Sequence, residues 1–297
     1  MVWPQPSTYR DVSLCYVSYV LKHYGPGTTV VFDGYSTISP KTAEQQRRAQ
    51  RVTSSDIMFD EDMATTTSQA AFLSNSHNKE RLIDVVHHKM LTAGIVVKQA
   101  DADADSLIVS TALALAGSIK PVVVVGTDTD ILVMLVTQVV LNMDVHMLCQ
   151  KNPTMLYNIR DVQDKIGDTC TYLMVIHAIS GCDIVSAVYR QGKHKAFNLV
   201  HKKHESDMLK IFNSPASTHD EIQKAGETFL LKLYGAPNHC TSLDAYRYIA
   251  YKKTISCTSL SSSLQLAALP PTSAAAKQHS YRTVSYTHLT LPTKRIV

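Results

Sequence analysis

The sequence predicts an α/β fold, in which a mostly parallel sheet is flanked by helices and followed by a wholly helical region. Three observations support this fold class. Short aliphatic and β-branched runs alternate with segments whose apolar residues recur every three or four positions. The runs are almost continuously apolar, as strands buried on both faces of a parallel sheet require. Beyond about residue 160, only the helical periodicity continues.

The alternation of helices and strands can be followed from the start of the chain. Residues 9–23 carry apolar side chains at helical spacing and end at the Gly-Pro-Gly turn of 25–27. A β-branched run then closes on Asp-Gly, which predicts a buried strand. Asn78 is a candidate N-cap for a later helix that stops near Gly94. The predicted strands are 28–32, 95–97, 121–126, 144–150 and 154–158, and the predicted helices of this half are 9–23, 43–51, 78–92, 105–117 and 130–141.

Four segments are predicted along the chain. Residues 1–160 form the α/β core, and residues 161–253 form the helical region, with helices over about 161–180, 193–204, 206–213, 220–234 and 243–252. Residues 254–283 are rich in Ser, Ala, Pro and Thr and predict a poorly ordered linker. Residues 284–297 resemble the in-frame translation of a transposase-type sequencing adapter, so we expect an artefact outside the fold. The alternative for this tail is a disordered natural segment.

Composition excludes several classes of protein. The chain has 297 residues, a net charge of +4, 45% hydrophobic and 18% charged residues, which is typical of a globular protein. No apolar run is long enough to span a membrane, and no signal peptide is present. The six cysteines form no Cys-x-x-Cys pair, which argues against a disulfide framework or structural zinc and favours an intracellular setting. Neither a Gly-x-Ser-x-Gly elbow nor a glycine-rich phosphate loop occurs.

Aspartates follow three of the predicted strands at their carboxyl ends. In an open parallel sheet ligands bind beyond these ends, and neighbouring strands lie about 5 Å apart, so the side chains should converge. Carboxylates gathered in this way repel one another unless cations neutralise them, and all-oxygen ligands suit Mg²⁺ or Mn²⁺. Two such ions can promote phosphodiester hydrolysis. The residues are Asp33 after the first strand, Asp101, Asp103 and Asp105 after the second, and Asp128 and Asp130 after the third, with Asp183 in a Ser-Gly-Cys-Asp stretch at a helix junction.

Each acid also has a structural interpretation when taken alone. Asp33 and Asp128 could be turn formers or helix caps. The alternating aspartates of 101–105 could be the solvated start of a helix, where acids favour the helix dipole. Asp183 could be a cap. The coincidence of acids at three successive strand ends favours the metal site.

Four sequence stretches carry these acids in a fixed order: VVFDG, DADAD, GTDTDILV and ISGCDIVSAVYRQGKHKAFNLV. In order and rough spacing they resemble the motifs of the PIN-like 5′-nuclease superfamily, which includes flap endonucleases and the XPG and asteroid proteins. DADAD resembles the family's Glu-Ala-Glu motif, and GTDTD resembles its Glu-Asp-x-Asp motif. The resemblance covers about residues 20–255 and is strongest to a divergent branch of invertebrate genomes.

The resemblance implies a set of metal ligands and phosphate contacts. The ligands would be the seven aspartates above, with the register of 101–105 open by two residues, and they would hold two Mg²⁺ or Mn²⁺ ions. Lys41 and Arg47 fall where the family contacts the scissile phosphate, with Arg48 as a neighbouring nucleic-acid contact. Gly192 and Lys193, with Lys195 nearby, match the helix–two-turn–helix that grips duplex phosphates. A solvated basic face is the alternative for these lysines.

Two departures from the family pattern leave a second hypothesis open. No strand with an early metal-site aspartate precedes residue 9, so we expect that strand to lie in a longer parent chain. Only one glycine, Gly192, marks the phosphate-gripping turn. The first hypothesis is a metal-dependent nuclease acting on branched or structured nucleic acid, with DNA preferred to RNA. The second is a catalytically degenerate nucleic-acid-binding or scaffold protein. A truncated product without function is the third.

Overall fold

The structure is a computed structural model that describes residues 2–34, 55–101, 103–151, 153–202, 206–257 and 265–290. Over these residues the chain is a helix-rich α/β protein with parallel strand pairing. It forms two compact units, Met1–Ile108 and Val109–Val297. The predicted division near residue 160 falls inside the second unit. The predicted helix over 43–51 lies outside the described residues.

Unit 1 contains two parallel strands and the helices that cover them. Strand β1 pairs with β2 in parallel, with Thr29 opposite Val96 and Phe32 opposite Gln99. Its core is an aromatic cluster in which the Trp3 and Phe72 ring centroids lie 5.3 Å apart. The elements are α1 (Tyr9–Tyr24), β1 (Thr29–Phe32), α2 (Gln69–Ser74), α3 (Ser76–Thr92) and β2 (Val96–Gln99), followed by α4 (Ala104–Ala116), which continues into unit 2.

Helix α1 begins where the sequence predicts because Thr8 and Asp11 form a capping box. The Thr8 hydroxyl accepts a hydrogen bond from the Asp11 backbone N–H at 3.2 Å, and the Asp11 carboxylate accepts one from the Thr8 N–H at 2.8 Å. Two N–H groups that the first turn leaves without partners are satisfied in this way. The hydrogen bonds from Thr8 also hold the pKa of Asp11 below its ordinary value.

The prediction that Asn78 is the N-cap of α3 is wrong. The cap is Asn75, whose side chain accepts hydrogen bonds from the His77 and Asn78 backbone N–H groups at 3.0 and 3.1 Å. Asn78 is fully buried instead, and its amide ties the helix to an extended segment. It accepts from the Ile57 N–H at 2.7 Å and donates to the Ser55 carbonyl at 2.9 Å. A buried amide with both groups bonded fixes this segment against α3.

Unit 2 holds a three-stranded sheet with the order β3-β4-β5, in which β3 and β4 are parallel and β4 and β5 antiparallel. The expected burial of strands on both faces is wrong for β3. Val124 is buried, but Val123 and Val125 are 48% and 39% exposed. Side chains alternate between the two faces of a strand, so one face of β3 is buried and the other is exposed to solvent. The elements are β3 (Val122–Val125), α5 (Thr129–Gln138), β4 (Val145–Cys149) and β5 (Met155–Asn158).

The helical part of unit 2 follows the prediction with one break. The helix expected over 161–180 is divided because Gly167, at φ 59°, adopts a backbone conformation that other residues avoid. None of the helices in the described residues is both long and apolar enough to cross a membrane. The elements are α6 (Ile159–Ile166), a 3₁₀ turn (Gly167–Tyr172), α7 (Leu173–Ser180), α8 (Lys193–His201), α9 (Asp207–Asn213), α10 (His219–Tyr234), α11 (Leu243–Cys257), a 3₁₀ turn (Leu266–Ala268) and α12 (Ser273–Thr290).

Over the described residues, the segment predicted as a linker and tail contains a packed helix, α12. Four small side chains are fully buried at helical spacing, namely Ala276, Ser280, Thr283 and Thr287. They let α12 pack closely against α10. The Ser280 hydroxyl donates to the Ala276 carbonyl at 2.8 Å, which satisfies a buried polar group within the helix. Tyr286, within the adapter-like segment, is also buried.

His279 on α12 makes the stability of unit 2 sensitive to pH. Burial lowers its pKa below the ordinary value of 6.5, and Nε2 donates to the Ile179 carbonyl at 2.8 Å. Since the unfolded chain binds the proton more readily, this contribution is complete above pH 6.5 and is lost as pH falls towards the folded pKa. We expect His279→Gln, which keeps a donor, to flatten the fall in stability below pH 6.5 in urea titrations. An unchanged slope would contradict this assignment.

Candidate active site

In unit 1 the ends of β1 and β2 approach each other closely. Asp33 follows β1 directly, and its carboxylate accepts a hydrogen bond from the Ala104 N–H at 3.2 Å. This bond caps the start of α4. Gly34 lies so close to the next strand that a Cβ there would overlap the carbonyl oxygens of Ala100 and Asp101. The backbone therefore places Asp33 beside the segment that carries the alternating aspartates, as parallel strand ends predict.

A cavity of about 410 Å³ opens beside this strand end. Its walls are mostly apolar, and its charged groups are Asp33, Asp105 and Lys79. Of the alternating aspartates, Asp105 thus lies in the same cavity as Asp33, whereas Asp101 is exposed to solvent. Two of the predicted ligands in unit 1 therefore line one cavity, together with Lys79.

In unit 2 the acids follow β3 and open α5. Asp128 is the N-cap, and its Oδ1 accepts a hydrogen bond from the Asp130 N–H at 3.0 Å. One carboxylate oxygen of Asp128 therefore caps the helix, as the alternative interpretation of this residue predicts. The Asp128 side chain is exposed, whereas Asp130 is only 8% exposed. A buried carboxylate needs a charged or hydrogen-bonding partner.

The partners of Asp130 include an imidazole and an ammonium group. Its Oδ1 lies 3.0 Å from Nε2 of His177 and 4.0 Å from Nζ of Lys193. Lys193 Nζ also lies 3.0 Å from Nδ1 of His177. Lys193 is the first residue of α8, directly after its N-cap Gly192. The segment predicted to grip phosphates is thereby joined to the acidic strand end, and Asp130 and Lys193 meet through His177.

His177 is the site residue that the sequence does not predict. It lies in the apolar helix α7, where a single histidine reads as part of the core, and its side chain is 3% exposed. The periodicity gives no signal, because every residue of α7 from Met174 to Ser180 is buried. Only the chain's folding of α7 against α5 and α8 shows that this histidine faces a carboxylate.

The remaining predicted residues are Asp183, Lys195 and three basic residues of the N-terminal half. Asp183 is exposed in the loop after α7. Burial raises the pKa of the neighbouring Cys182 thiol, and the charges of Asp130 and Lys193 also act on it. Lys195 is exposed on α8, and its Nζ donates to Gln191 Oε1 at 2.5 Å. The predicted phosphate contacts Lys41, Arg47 and Arg48 lie outside the described residues.

The carboxylates of the described residues can be compared with the ligands that the predicted metal ions require. Among the described residues, no three His, Cys, Asp or Glu side chains form a group that could hold a metal ion. The carboxylates that share the unit 1 cavity are nevertheless the oxygen donors that Mg²⁺ and Mn²⁺ prefer. In unit 2 the hydrogen bond from His177 orients the Asp130 carboxylate, as partners outside a ligand set commonly do. These donors therefore fit a hard divalent cation chemically.

No family model matches this chain, and a search of the curated proteins finds no match either. The solved structures that match include one of similar extent. It is the structure of a bacteriophage T5 flap endonuclease in a pseudo-enzyme–product complex with DNA and metal ions, and it matches this chain at a TM-score of 0.40 and 12% sequence identity. The similarity covers 94% of this chain and 92% of that chain.

Proposed function

We propose that this protein is a nuclease that hydrolyses phosphodiester bonds of branched or structured nucleic acid with the help of two Mg²⁺ or Mn²⁺ ions. The observation that carries the proposal is the shared cavity of Asp33 and Asp105 at the carboxyl end of a parallel strand pair. Acids follow β3 in the same way. Ligand sites in parallel sheets occur at such ends. The motif order resembling PIN-like 5′-nucleases supports the same reaction.

The proposed ligands are the aspartates that the resemblance to PIN-like 5′-nucleases implies. Bound divalent ions would activate water and stabilise the leaving oxygen. The cavity favours the register in which Asp103 and Asp105, and not Asp101 and Asp103, represent the family's acidic pair. Asp33 caps α4 with one oxygen, and His177 fixes the direction of the Asp130 carboxylate. The full proposed set, in which Asp101 stands for the other register of the alternating aspartates, is Asp33, Asp101, Asp103, Asp105, Asp128, Asp130 and Asp183.

The proposed nucleic-acid contacts are basic residues and the turn before α8. Lys195 is exposed and can contact backbone phosphates, which requires only positive charge. Gly192 opens α8 without a side chain that would obstruct a phosphate. Lys41, Arg47 and Arg48 enter the proposal through the family resemblance alone. DNA is the proposed substrate in preference to RNA.

The proposal is tested by cleavage assays on the purified chain. Labelled DNA with a single-stranded flap, plain duplex, single strands and the matching RNAs are incubated with Mg²⁺, with Mn²⁺ or with EDTA. We expect cleavage of the flap substrate in at least one metal and none in EDTA. A chain that binds these substrates but cleaves none of them in either metal would contradict the proposed hydrolysis.

One observation favours the catalytically degenerate alternative. The Asp130 oxygen that contacts His177 also lies 4.0 Å from the ammonium of Lys193, so protein groups already compensate part of its charge. A nucleic-acid-binding protein could retain this arrangement without turnover. It would show binding that weakens with salt, because phosphate contacts release counterions, and no cleavage. A reproducible metal-dependent cleavage rate would exclude it.

A further inference from the structure

We infer that His177 is a positioning residue that holds the ammonium group of Lys193 beside Asp130, and that Lys193 thereby serves this site as a fixed phosphate-binding cation. The inference rests on the proposed function only in taking nucleic-acid phosphate as the ligand. His177 links α7 to both other elements of the group: Asp130 on α5 and Lys193 on α8.

The imidazole ring of His177 contacts both charged groups. Nζ of Lys193 lies 3.0 Å from Nδ1 and 3.5 Å from Nε2, so the ammonium group lies against both ring nitrogens. Nε2 also lies 3.0 Å from Oδ1 of Asp130, whereas Nζ of Lys193 is 4.0 Å from the same oxygen. The ammonium group is therefore held beside the carboxylate mainly through its contact with the ring.

Burial divides the three residues into an inner pair and an outer cation. The side chains of His177 and Asp130 are 3% and 11% exposed, whereas that of Lys193 is 44% exposed. The ammonium group carries three hydrogens, and the contact with His177 uses one of them. The solvent side of Lys193 therefore remains accessible to a phosphate oxygen. A lysine held in this way loses less rotamer freedom on binding than an unrestrained one.

The structure offers a matched control for this role on the same helix. Lys195 lies two residues after Lys193, is exposed, and donates to Gln191. Both lysines should attract phosphate, but only Lys193 has its ammonium group on His177. A change at His177 should therefore affect the contribution of Lys193 and leave that of Lys195 unaltered.

The first test is a double-mutant cycle on binding of a labelled DNA duplex in EDTA over a series of salt concentrations. We expect Lys193→Met to weaken binding about tenfold and to reduce the salt slope by about 1. His177→Leu should weaken binding about threefold, and the double variant should be no weaker than Lys193→Met. His177→Gln, which keeps one donor and one acceptor, should bind as the natural chain does. Lys195→Met and His177→Leu should combine additively.

The second test does not depend on any His177 variant being folded. In ¹⁵N-histidine NMR spectra, Lys193→Met should shift the ring nitrogen resonances of His177 relative to the natural chain. Spectra that correlate backbone and ring resonances of the natural chain supply the assignment, and Lys195→Met supplies the control. Additive effects of His177 and Lys193 on binding, unchanged His177 ring resonances in Lys193→Met, or no DNA binding by the natural chain would each overturn the inference.

Both tests are carried out without a metal ion, so failure of this inference can be distinguished from failure of the proposed function. Coupling between His177 and Lys193 without any cleavage would remove the hydrolysis proposal and keep this inference. Cleavage together with additive binding effects would support the hydrolysis proposal and overturn this inference.

Discussion

Asp128→Asn is expected to reduce metal-dependent cleavage about 100-fold or more, since changing even the groups that support metal ligands costs about 10–100-fold. The substitution removes the charge that would face a cation. It keeps an oxygen for the N-cap bond to the Asp130 N–H, which is 3.0 Å long in the structure. Asn and Asp cap helices about equally well, so the free energy of unfolding should scarcely change.

The matched control for this variant is Asp220→Asn, which changes an exposed aspartate in the first turn of α10. Rates should be measured with Mg²⁺ and with Mn²⁺, alongside urea denaturation of each variant. If Asp128→Asn and Asp130→Asn both cleave at the original rate, the activity comes from a contaminant or another site.

Phe229→Ala is expected to lower the free energy of unfolding of unit 2 by about 3–5 kcal/mol. Phe229 on α10 is fully buried in the hydrophobic core of unit 2, among side chains from α7, α8, α9 and α12. Removing the ring loses its transfer free energy and leaves a cavity that a close-packed core fills only in part. The control is Tyr248→Ala, whose aromatic side chain on α11 is 58% exposed.

The chain's composition allows the two units to be followed separately in this experiment. Trp3, the one tryptophan of the sequence, is buried in unit 1, so its fluorescence reports on that unit. Far-ultraviolet circular dichroism reports mainly on the helices, most of which lie in unit 2. We expect the variant to lower the dichroism midpoint in urea. A loss of less than about 1 kcal/mol would show that Phe229 does not lie in a tightly packed core.

The sequence predicts the structure correctly where a residue pattern is compatible with only one kind of element. The apolar runs predict all five strands of the described residues, and acids follow β1, β2 and β3 within a few residues, as predicted. It failed for α12 since Ser, Ala and Thr are typical of linkers and of tight helix contacts alike. Here Ser280 and Thr283 bond to carbonyls of their own helix, which makes their burial inexpensive.

His177 shows a different limit. Its function depends on Asp130 and Lys193, which are 47 and 16 positions away in sequence, and such distant pairs leave no periodic signal. The same holds for Asn78, which looks like a cap but bonds to Ser55 and Ile57. Local patterns report the element that a polar side chain belongs to. They do not report which distant group it faces.

The close approach at Gly34 makes one position in the acidic region intolerant of variation. Any side chain there would force the backbones of β1 and β2 apart, because a Cβ would overlap two carbonyl oxygens. Spreading the strands would also pull Asp33 away from the Ala104 N–H that it caps. A library with all amino acids at position 34 should therefore return glycine alone when it is selected for anything that needs Asp33 in place. Gly34, which has no side chain, thus determines how closely Asp33 can approach the segment that carries the alternating aspartates.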